Sequence, residues 1–493
     1  MFKRISALLL VLAAIAAAFW LPDQQIFSLT VGSQPQSLVQ QVKAKDLTLV
    51  CPGAFEQSAS SGKVGSFTRL GAAAIDFASN LPAGASLRQL ALTGAGATSA
   101  ALPSGGGALA NMSASAAVAI TVADPNGVAA QNSTLLSAQN YQVASAAGVN
   151  GALGANCQRP ASQQWFVGAS TATGREALII LANPNSTDAT VNLRLFGLNG
   201  AIDGAGLNAI AVAANRTVVL PLAGFAPDNA LMALSVSAQG ASIAAWVQQK
   251  TVRGTLAGGA DLISPALEPA KQLVIPGLLK RGTSDAAALI AKNADYADLT
   301  PSVGVFVPGA GDANVTVQVI GTDAKTFGTV VQQTVSGGAA VSIPVTGLKD
   351  GNYSVFVSAD QPVIAAVQLS RTLTAHATAG QNSTTDFVWL NAILPETSKR
   401  NMPVPNSGVS KLSVATTSAG PAILTITGSG AKQTISIAKQ TSKVVSLTAG
   451  SVVSVSSDSP VSATMIVDFN SRIVAIPAVN FGNQGRTISV SVR

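Results

Sequence analysis

The sequence predicts an all-β protein, with tandem immunoglobulin-like β-sandwich modules after an N-terminal signal-anchor helix. Three observations predict it: short runs of alternating apolar and polar residues, landmarks that recur along the chain, and a basic and apolar leader. Alternation with a period of two is typical of a strand with one buried face. The composition agrees, because 45 glycines and only 10 % charged residues suit short strands and tight turns better than exposed helices.

The first element is the leader, residues 1–21. Lys3 and Arg4 precede an apolar run over residues 5–21, which matches the charged and hydrophobic regions of a signal sequence. A small-x-small motif at 14–16 offers a cleavage site, but the length of the run favours an uncleaved anchor. We therefore expect a single-pass cell-membrane protein that contacts the membrane through this run, with an extracytoplasmic C-terminal body. The alternative is secretion after cleavage of the signal.

The body contains an internal repeat. A strand that ends in glycine recurs at 191–197, 315–321 and 423–428. In each copy a second strand near a turn follows, and then two strands joined by a polar turn. Copies about 100–125 residues long, with about seven short strands each, match an immunoglobulin-like sandwich. A β-propeller would need a period of about 40–50 residues, which the sequence does not show.

These landmarks divide the chain after the leader. Each of the three clear copies begins with an aromatic or aliphatic strand, and a weaker fourth copy precedes them. The predicted segments are a polar spacer over 22–44, a β-rich module closed by a disulfide over 45–160, and β-sandwich modules over 163–265, 270–378 and 384–493.

The chain has two cysteines, Cys51 and Cys157. An even count in an exported chain predicts one disulfide, and two buried thiols are the alternative. The bond would close a loop of about 107 residues. By reducing the entropy of the unfolded chain, it would stabilise the folded state by roughly 4–5 kcal/mol. Residues 93–130 are poor in bulky side chains, so covalent closure would help a weak core.

Several segments together resemble an uncharacterised family of actinobacterial, membrane-anchored exported proteins, defined only as a domain of unknown function. The residues that carry the resemblance are Cys51-Pro52-Gly53, Cys157, Trp165-Phe166-Val167-Gly168, the run 178–184 and the strand 191–197. Their order and spacing are more specific than any one of them. The resemblance implies a Gram-positive envelope protein in a setting near surface-glycan synthesis, and it implies no activity.

Few residues are candidates for chemistry. His376 is the one histidine and has no second ligand type nearby, whereas a metal site needs several converging ligands. A Ser-His-Asp triad would depend on the same histidine. Asp295 and Asp298 could form a Ca²⁺ loop, although aspartates in turns are the ordinary explanation. We predict no cofactor and no enzymatic activity.

Three tryptophans are candidates for stacking against sugar rings. Trp246 lies within an apolar strand and is predicted to be core. Trp165 and Trp389 occupy the strands that open two modules. They are the candidate glycan-stacking residues, although packing in the core is the favoured interpretation for both.

The net charge of +7 is not accompanied by the interleaved aromatics of a nucleic-acid surface, so we predict no nucleic-acid partner. The sequence predicts a non-catalytic structural or interaction protein of the cell envelope. The alternative is a glycan-binding accessory protein in cell-wall or surface-polysaccharide assembly. Besides the membrane, the candidate partners are envelope proteins and surface glycans.

Overall fold

The structure is a computed structural model that describes residues 37–42, 46–58, 67–81, 84–103, 107–123, 136–146, 148–322, 328–373, 384–428, 430, 432–480 and 486–491. The leader and His376 lie outside these residues. Within them, no helix is long and apolar enough to cross a membrane. The described residues fall into two compact units: those between 46 and 480 belong to the larger, and residues 37–42 with 486–491 belong to the smaller.

The described part of the smaller unit is one antiparallel strand pair. β1 (Ser37–Val42) pairs with β36 (Arg486–Ser491) over six positions. β1 lies in the predicted spacer and β36 in the predicted last module. A strand of the predicted spacer thus pairs with a strand of the predicted last module. Nothing in the two sequences indicates this pairing.

The larger unit contains four modules that share one connectivity. With the strands of each module numbered one to eight, one antiparallel sheet has the order 1-6-3-4 and the other has the order 5-2-7-8. Module 1 has the strands β2 (Asp46–Cys51), β5 (Ala73–Ser79), β6 (Ser86–Ala91), β7 (Ser99–Leu102), β8 (Ala110–Ala114), β9 (Val118–Ala123), β10 (Leu136–Ala146) and β11 (Val149–Asn156). A hairpin of β3 (Glu56–Ser58) and β4 (Phe67–Arg69) is inserted between its first two strands.

Module 2 has the strands β12 (Gln163–Ala169), β13 (Arg175–Asn183), β14 (Ala189–Gly197), β15 (Gly200–Ile202), β17 (Arg216–Pro221), β18 (Met232–Gln239), β19 (Ala244–Arg253) and β20 (Leu256–Ile263). A short strand, β16 (Ile210–Val212), also pairs with β14, and a 3-10 helix spans Leu222–Gly224. Module 4 has the strands β28 (Arg400–Pro403), β29 (Val409–Ala415), β30 (Ala422–Thr427), β31 (Gln433–Ile437), β32 (Ser442–Ser446), β33 (Val452–Ser457), β34 (Ser462–Asp468) and β35 (Ile473–Pro477).

Module 3 has the strands β21 (Ala270–Lys280), β22 (Ser302–Phe306), β23 (Ala313–Gly321), β24 (Thr329–Val335), β25 (Ala340–Pro344), β26 (Gly351–Leu373) and β27 (Thr384–Asn391). β26 serves as both the sixth and the seventh strand. Its first part pairs with β21 and β23, and its second part pairs with β22 and β27. Helix α1 (Thr283–Lys292) and a 3-10 helix (Ala294–Leu299) are inserted between the first two strands.

The recurring landmarks of the sequence are equivalent strands. The strand that ends in glycine is the third strand, the strand near a turn is the fifth, and the final pair is the sixth and seventh. The run 387–390 is different, because it belongs to β27, which pairs with β26 over eight positions and is the eighth strand of module 3. The first strand of module 4 is β28. Alternation identifies a strand, but it does not identify the strand's partner.

The strand order also differs from an immunoglobulin domain, in which the first and second strands are neighbours. Here the first strand lies beside the sixth, and the second lies beside the seventh. The two sheets of each module share an apolar core. In module 1, Leu47 and Ile120 from one sheet lie in the same cluster as Ile75 and Leu136 from the other. The burial of β23 alternates residue by residue, as a strand with one face in a core requires.

Cys51 and Cys157 form the predicted disulfide. It links the end of the first strand of module 1 to the residue after its eighth strand, so it joins the two sheets at one edge of the module. Val50 and Gln158 exchange two backbone hydrogen bonds, of 2.8 and 2.9 Å, at the same place.

We expect the double substitution Cys51→Ser and Cys157→Ser to lower the free energy of unfolding by about 4–5 kcal/mol, because the unfolded chain gains the entropy of an open loop. Urea unfolding with and without reductant measures it. Reductant should shift the midpoint of the native sequence and leave the double variant unchanged. Equal midpoints for the oxidised native protein and the variant would contradict the expectation.

Candidate functional site at the junction of the modules

The four modules meet where their eighth strands lie beside one another. β11 contacts β20, β27 and β35, while β27 also contacts β20 and β35. Each of these strands is at the edge of its own sheet and has one hydrogen-bonded neighbour there. An edge strand carries N–H and C=O groups that have no partner within the sheet. Four edges buried together therefore need polar partners from elsewhere.

Asp386 in β27 supplies such a partner to the other three eighth strands. Its Oδ2 accepts hydrogen bonds from the N–H of Ala152 in β11 and the N–H of Ile473 in β35, both at 3.0 Å. Its Oδ1 accepts one from the N–H of Ala260 in β20 at 3.1 Å. One carboxylate of module 3 thus bonds to modules 1, 2 and 4.

Because Asp386 is buried, its charged form depends on these hydrogen bonds for stabilisation. The residue is 1 % exposed. Burial raises the pKa of its carboxyl group well above the usual value, and the backbone N–H groups that it accepts from act in the opposite direction. A carboxylate in such a place is stabilised only by the hydrogen bonds made to it.

A second buried carboxylate, Asp261 in β20, binds the strand that carries Asp386. Its Oδ2 accepts a hydrogen bond of 2.7 Å from the N–H of Trp389 in β27. The contact between modules 2 and 3 is therefore reciprocal. Ala260 of module 2 donates its N–H to Asp386 of module 3, and Trp389 of module 3 donates its N–H to Asp261 of module 2. Burial raises the pKa of Asp261 to about 7, against the lowering effect of the N–H groups of Trp389 and Leu262.

Two glycines allow the strands to come this close. A Cβ on Gly151 would clash with the backbone nitrogen of Ala260, and a Cβ on Gly259 would lie 2.6 Å from Oδ1 of Asp386. Gly259 also has a φ of +111°, which L side chains rarely adopt. A larger residue at either position would separate the carboxylate from its donors.

Apolar contacts connect the modules in a closed cycle. Trp246 of module 2 lies in one buried cluster with Phe55 of module 1. Trp389 of module 3 lies in the core of module 2, and Ile466 of module 4 lies in the core of module 3. The cycle closes between modules 4 and 1, where the rings of Phe469 and Tyr141 stack with their centroids 6.3 Å apart.

The insertion in module 3 adds an ion-pair cluster to its contact with module 2. Asp298, in the 3-10 helix, accepts two hydrogen bonds of 2.6 and 2.7 Å from Arg253 and one of 2.7 Å from Arg175. Arg253 also lies 4.7 Å from the ring centroid of Tyr296. The carboxylate of Asp298, which the sequence offers together with Asp295 for a Ca²⁺ loop, is thus held by two guanidinium groups.

The insertion in module 1 also contacts module 2. The backbone N–H of Glu56, in β3, donates to the side chain of Gln248 at 2.8 Å, and Gln248 donates back to the Glu56 carbonyl at 2.7 Å. The side chain of Glu56 pairs with Arg69 of β4 at 2.8 Å. Each insertion thus provides polar contacts that its module's eight strands do not.

The tryptophans that the sequence singles out lie in these contacts. Trp246 is fully buried, and Trp389 is 8 % exposed, with its ring beside the backbone of Gly168. Trp389 therefore presents no open face to a sugar ring. Trp165 is half-buried, and its ring centroid lies 5.9 Å from that of Phe306. Of the two candidate stacking residues, Trp165 keeps some exposed surface.

Asp386 and Asp261 are the functional residues that sequence reasoning missed. Each follows small or polar residues and precedes an apolar run, as in Asp386-Phe387-Val388 and Asp261-Leu262-Ile263. A charged residue within a buried strand must have a hydrogen-bonding partner, and that is the signal that could have found them. Among the described residues, no group of three or more histidine, cysteine, aspartate or glutamate side chains is arranged to hold a metal ion.

We expect Asp386→Ala to lower the free energy of unfolding by at least about 3 kcal/mol, since three buried N–H groups lose their acceptor and each costs about 1–3 kcal/mol. Asp386→Asn should also destabilise, because its amide nitrogen cannot accept a hydrogen bond. Asp203→Ala, at an exposed position of module 2, is the matched control. Urea unfolding measures all three, and an Asp386→Ala midpoint equal to that of the control would contradict the assigned role.

The raised pKa of Asp261 predicts that stability falls as the pH rises. The folded pKa of about 7 exceeds the usual 3.8, so the folded state holds the proton more tightly. The stabilisation is fully present below pH 3.8 and is lost as the pH rises through 7. We expect the unfolding free energy of the native protein to fall more between pH 4 and 8 than that of Asp261→Asn. Parallel pH profiles for the two proteins would rule out this assignment.

Comparisons with known proteins place the chain in a family. Residues 108–457, from module 1 into module 4, match a family of unknown function, DUF5719. No curated protein matches the sequence. A solved structure described as Thermotoga maritima 1070 is 15 % identical, with a TM-score of 0.19, over 25 % of this chain and 95 % of that one. The BSP domain of a biofilm associated protein is 9 % identical, with a TM-score of 0.13, over 92 % of this chain and 97 % of that one.

Neither of these structural likenesses is close enough to support an argument about fold or function. The family match is different, because it spans well over half of the chain, including all of modules 2 and 3. This protein belongs to the DUF5719 family, whose function is unknown.

Proposed function

We propose that this chain is a non-catalytic, extracytoplasmic structural or interaction protein of the cell envelope. It displays tandem β-sandwich modules, immunoglobulin-like in size and two-sheet architecture, from a single membrane anchor. The observation that carries the proposal is the junction at Asp386, where one carboxylate bonds to the backbones of three other modules. Such a junction suits a protein whose work is to hold surfaces in fixed positions.

The contacts favour a rigid platform over a linear stalk. In a linear stack the first and last modules would be far apart, whereas here Asn156 of module 1 donates a hydrogen bond to the carbonyl of Pro477 in module 4. Tyr141 and Phe469 stack in the same contact. Because each module packs against at least two others, none can swing independently, and the outer sheets keep fixed relative positions.

The way the carboxylates at the module boundaries are used supports a non-catalytic role. Asp386 and Asp261 accept backbone hydrogen bonds from neighbouring modules. Asp298 pairs with arginines of module 2, and Asp468 of module 4 pairs with Arg371 of module 3 at 2.9 Å. A general acid or base must face a substrate, whereas each of these groups faces a protein partner across a module boundary.

The leader and the disulfide support the proposed location. Lys3 and Arg4 before the apolar run 5–21 would stay on the cytoplasmic side and leave the body outside. The bond between Cys51 and Cys157 suits an oxidising compartment. The actinobacterial envelope implied by the resemblance of the sequence is part of the same proposal.

Fractionation of intact cells tests the proposal. We expect the full-length protein in the membrane fraction, resistant to carbonate extraction, and digestible by protease added outside the cells. Its cysteines should resist alkylation until they are reduced. A variant that lacks residues 2–21 should stay in the cytoplasm and be protected from the protease.

Other outcomes of the fractionation have distinct meanings. A shortened protein in the culture supernatant would contradict the anchor and support secretion after cleavage. A full-length protein that is protected in intact cells and has reactive thiols would contradict the extracytoplasmic location itself.

A further inference from the structure

A cavity of about 240 Å³ opens between modules 3 and 4. Its walls include Arg281 and Arg371 of module 3 and Lys411 and Asp468 of module 4, and Leu279 and Ile466 provide apolar lining. The space combines a charged wall with an apolar one. The proposal made for it here goes beyond the structural function and does not depend on it.

The charges around the cavity do not balance. Three cationic side chains line it, against the one carboxylate of Asp468. Asp468 is already paired with Arg371 at 2.9 Å, and Arg281 and Lys411 act on the same carboxylate. Lys280, which is 3 % exposed, lies behind this lining, and its positive charge is offset by the carboxylate of Asp350. The walls therefore have more positive charge than Asp468 can neutralise.

Arg371 has hydrogen-bonding capacity that the described residues do not use. The residue is 4 % exposed, and its Nε is buried without a hydrogen-bond partner among them. Burial lowers the pKa of Arg371, the carboxylate of Asp468 raises it, Arg281 lowers it, and the carboxylates of Asp350 and Asp386 raise it. A buried guanidinium group among other cations is stabilised by any additional anion.

Arg281 is held in position before any ligand binds. Its guanidinium group donates to the carbonyl of Gly351 at 3.0 Å and to the side chain of Asn352 at 2.8 Å. Lys411 is half-buried in β29 and lies two residues from Val409, which is 60 % exposed at the same cavity. A pre-positioned cation beside exposed apolar surface suits a ligand with one charged end and one carbon end.

We propose that this cavity binds a phosphate group carried on a small carbon skeleton, such as a sugar or polyol phosphate. The phosphate lies against Arg281, Arg371 and Lys411, and the carbon skeleton lies against the apolar side chains of Leu279, Val409 and Ile466. Phosphate oxygens accept hydrogen bonds from arginine and lysine in well-defined geometry. The same chemistry is offered by a free sugar phosphate and by a polymer that contains glycerol phosphate.

Calorimetric titration of the full-length protein in detergent tests the proposal, with glucose 1-phosphate, inorganic phosphate, glucose and a synthetic glycerol-phosphate oligomer as probes. Glucose 1-phosphate should bind more tightly than inorganic phosphate, and glucose should not bind. Tighter binding of the oligomer than of glucose 1-phosphate would identify a polymer as the source. Binding should weaken as the salt concentration rises.

Two substitutions with opposite expected effects distinguish specific binding in the cavity from attraction of the phosphate by the overall positive charge of the protein. Lys411→Gln should weaken glucose 1-phosphate binding by about tenfold, the usual value of one charged hydrogen bond. Asp468→Asn should strengthen binding, because it removes the competing carboxylate. Lys439→Gln makes the same charge change at an exposed position of module 4 and should leave binding unchanged.

Three results would overturn the proposal: no binding of either small phosphate, equal weakening by Lys411→Gln and Lys439→Gln, or equal binding of glucose and glucose 1-phosphate. If Asp468→Asn does not fold, because its pair with Arg371 is lost, the two lysine variants decide alone. Neither of those lysines forms one of the ion pairs between modules.

Discussion

The arrangement of this protein depends on one electrostatic constraint, which is the burial of the Asp386 carboxylate among four strand edges. The N–H groups of Ala152, Ala260 and Ile473 would cost free energy if they were buried without an acceptor, and the carboxylate would cost more without donors. Each therefore requires the other. The glycines at 151 and 259 are needed because side chains there would separate them.

The four modules repeat one fold and pack together into a single compact unit. All four have the same strand order, so their differences lie in what is added to it. The hairpin in module 1 and the helices in module 3 enter at the same point of the repeat, between the first and second strands, and both provide polar contacts to module 2. The shared strand order defines each module, and the insertions and a few buried carboxylates provide polar contacts that hold the modules in their mutual orientation.

Much of the fold within a module is visible in the sequence, but the arrangement between modules is not. Alternation marks strands such as β23, and the repeat marks equivalent strands, because both follow from local burial of one face. The assignment of the strand at 387–390 to module 3, and the pairing of β1 with β36, depend on contacts between residues far apart in the chain. Asp386 looks like an ordinary acidic residue until the other three strands are beside it. The cavity near Arg371 likewise needs two modules to exist.

β26 has a mechanical consequence. In modules 2 and 4 a turn separates the sixth strand from the seventh, but in module 3 these two strands are one continuous strand of 23 residues. A turn can act as a hinge, whereas a continuous strand bonded to neighbours in both sheets transmits load between them. Sliding one sheet of module 3 over the other would require breaking hydrogen bonds along β26. A pulling force that sheared module 3, which also carries Asp386, would therefore have to break these hydrogen bonds together.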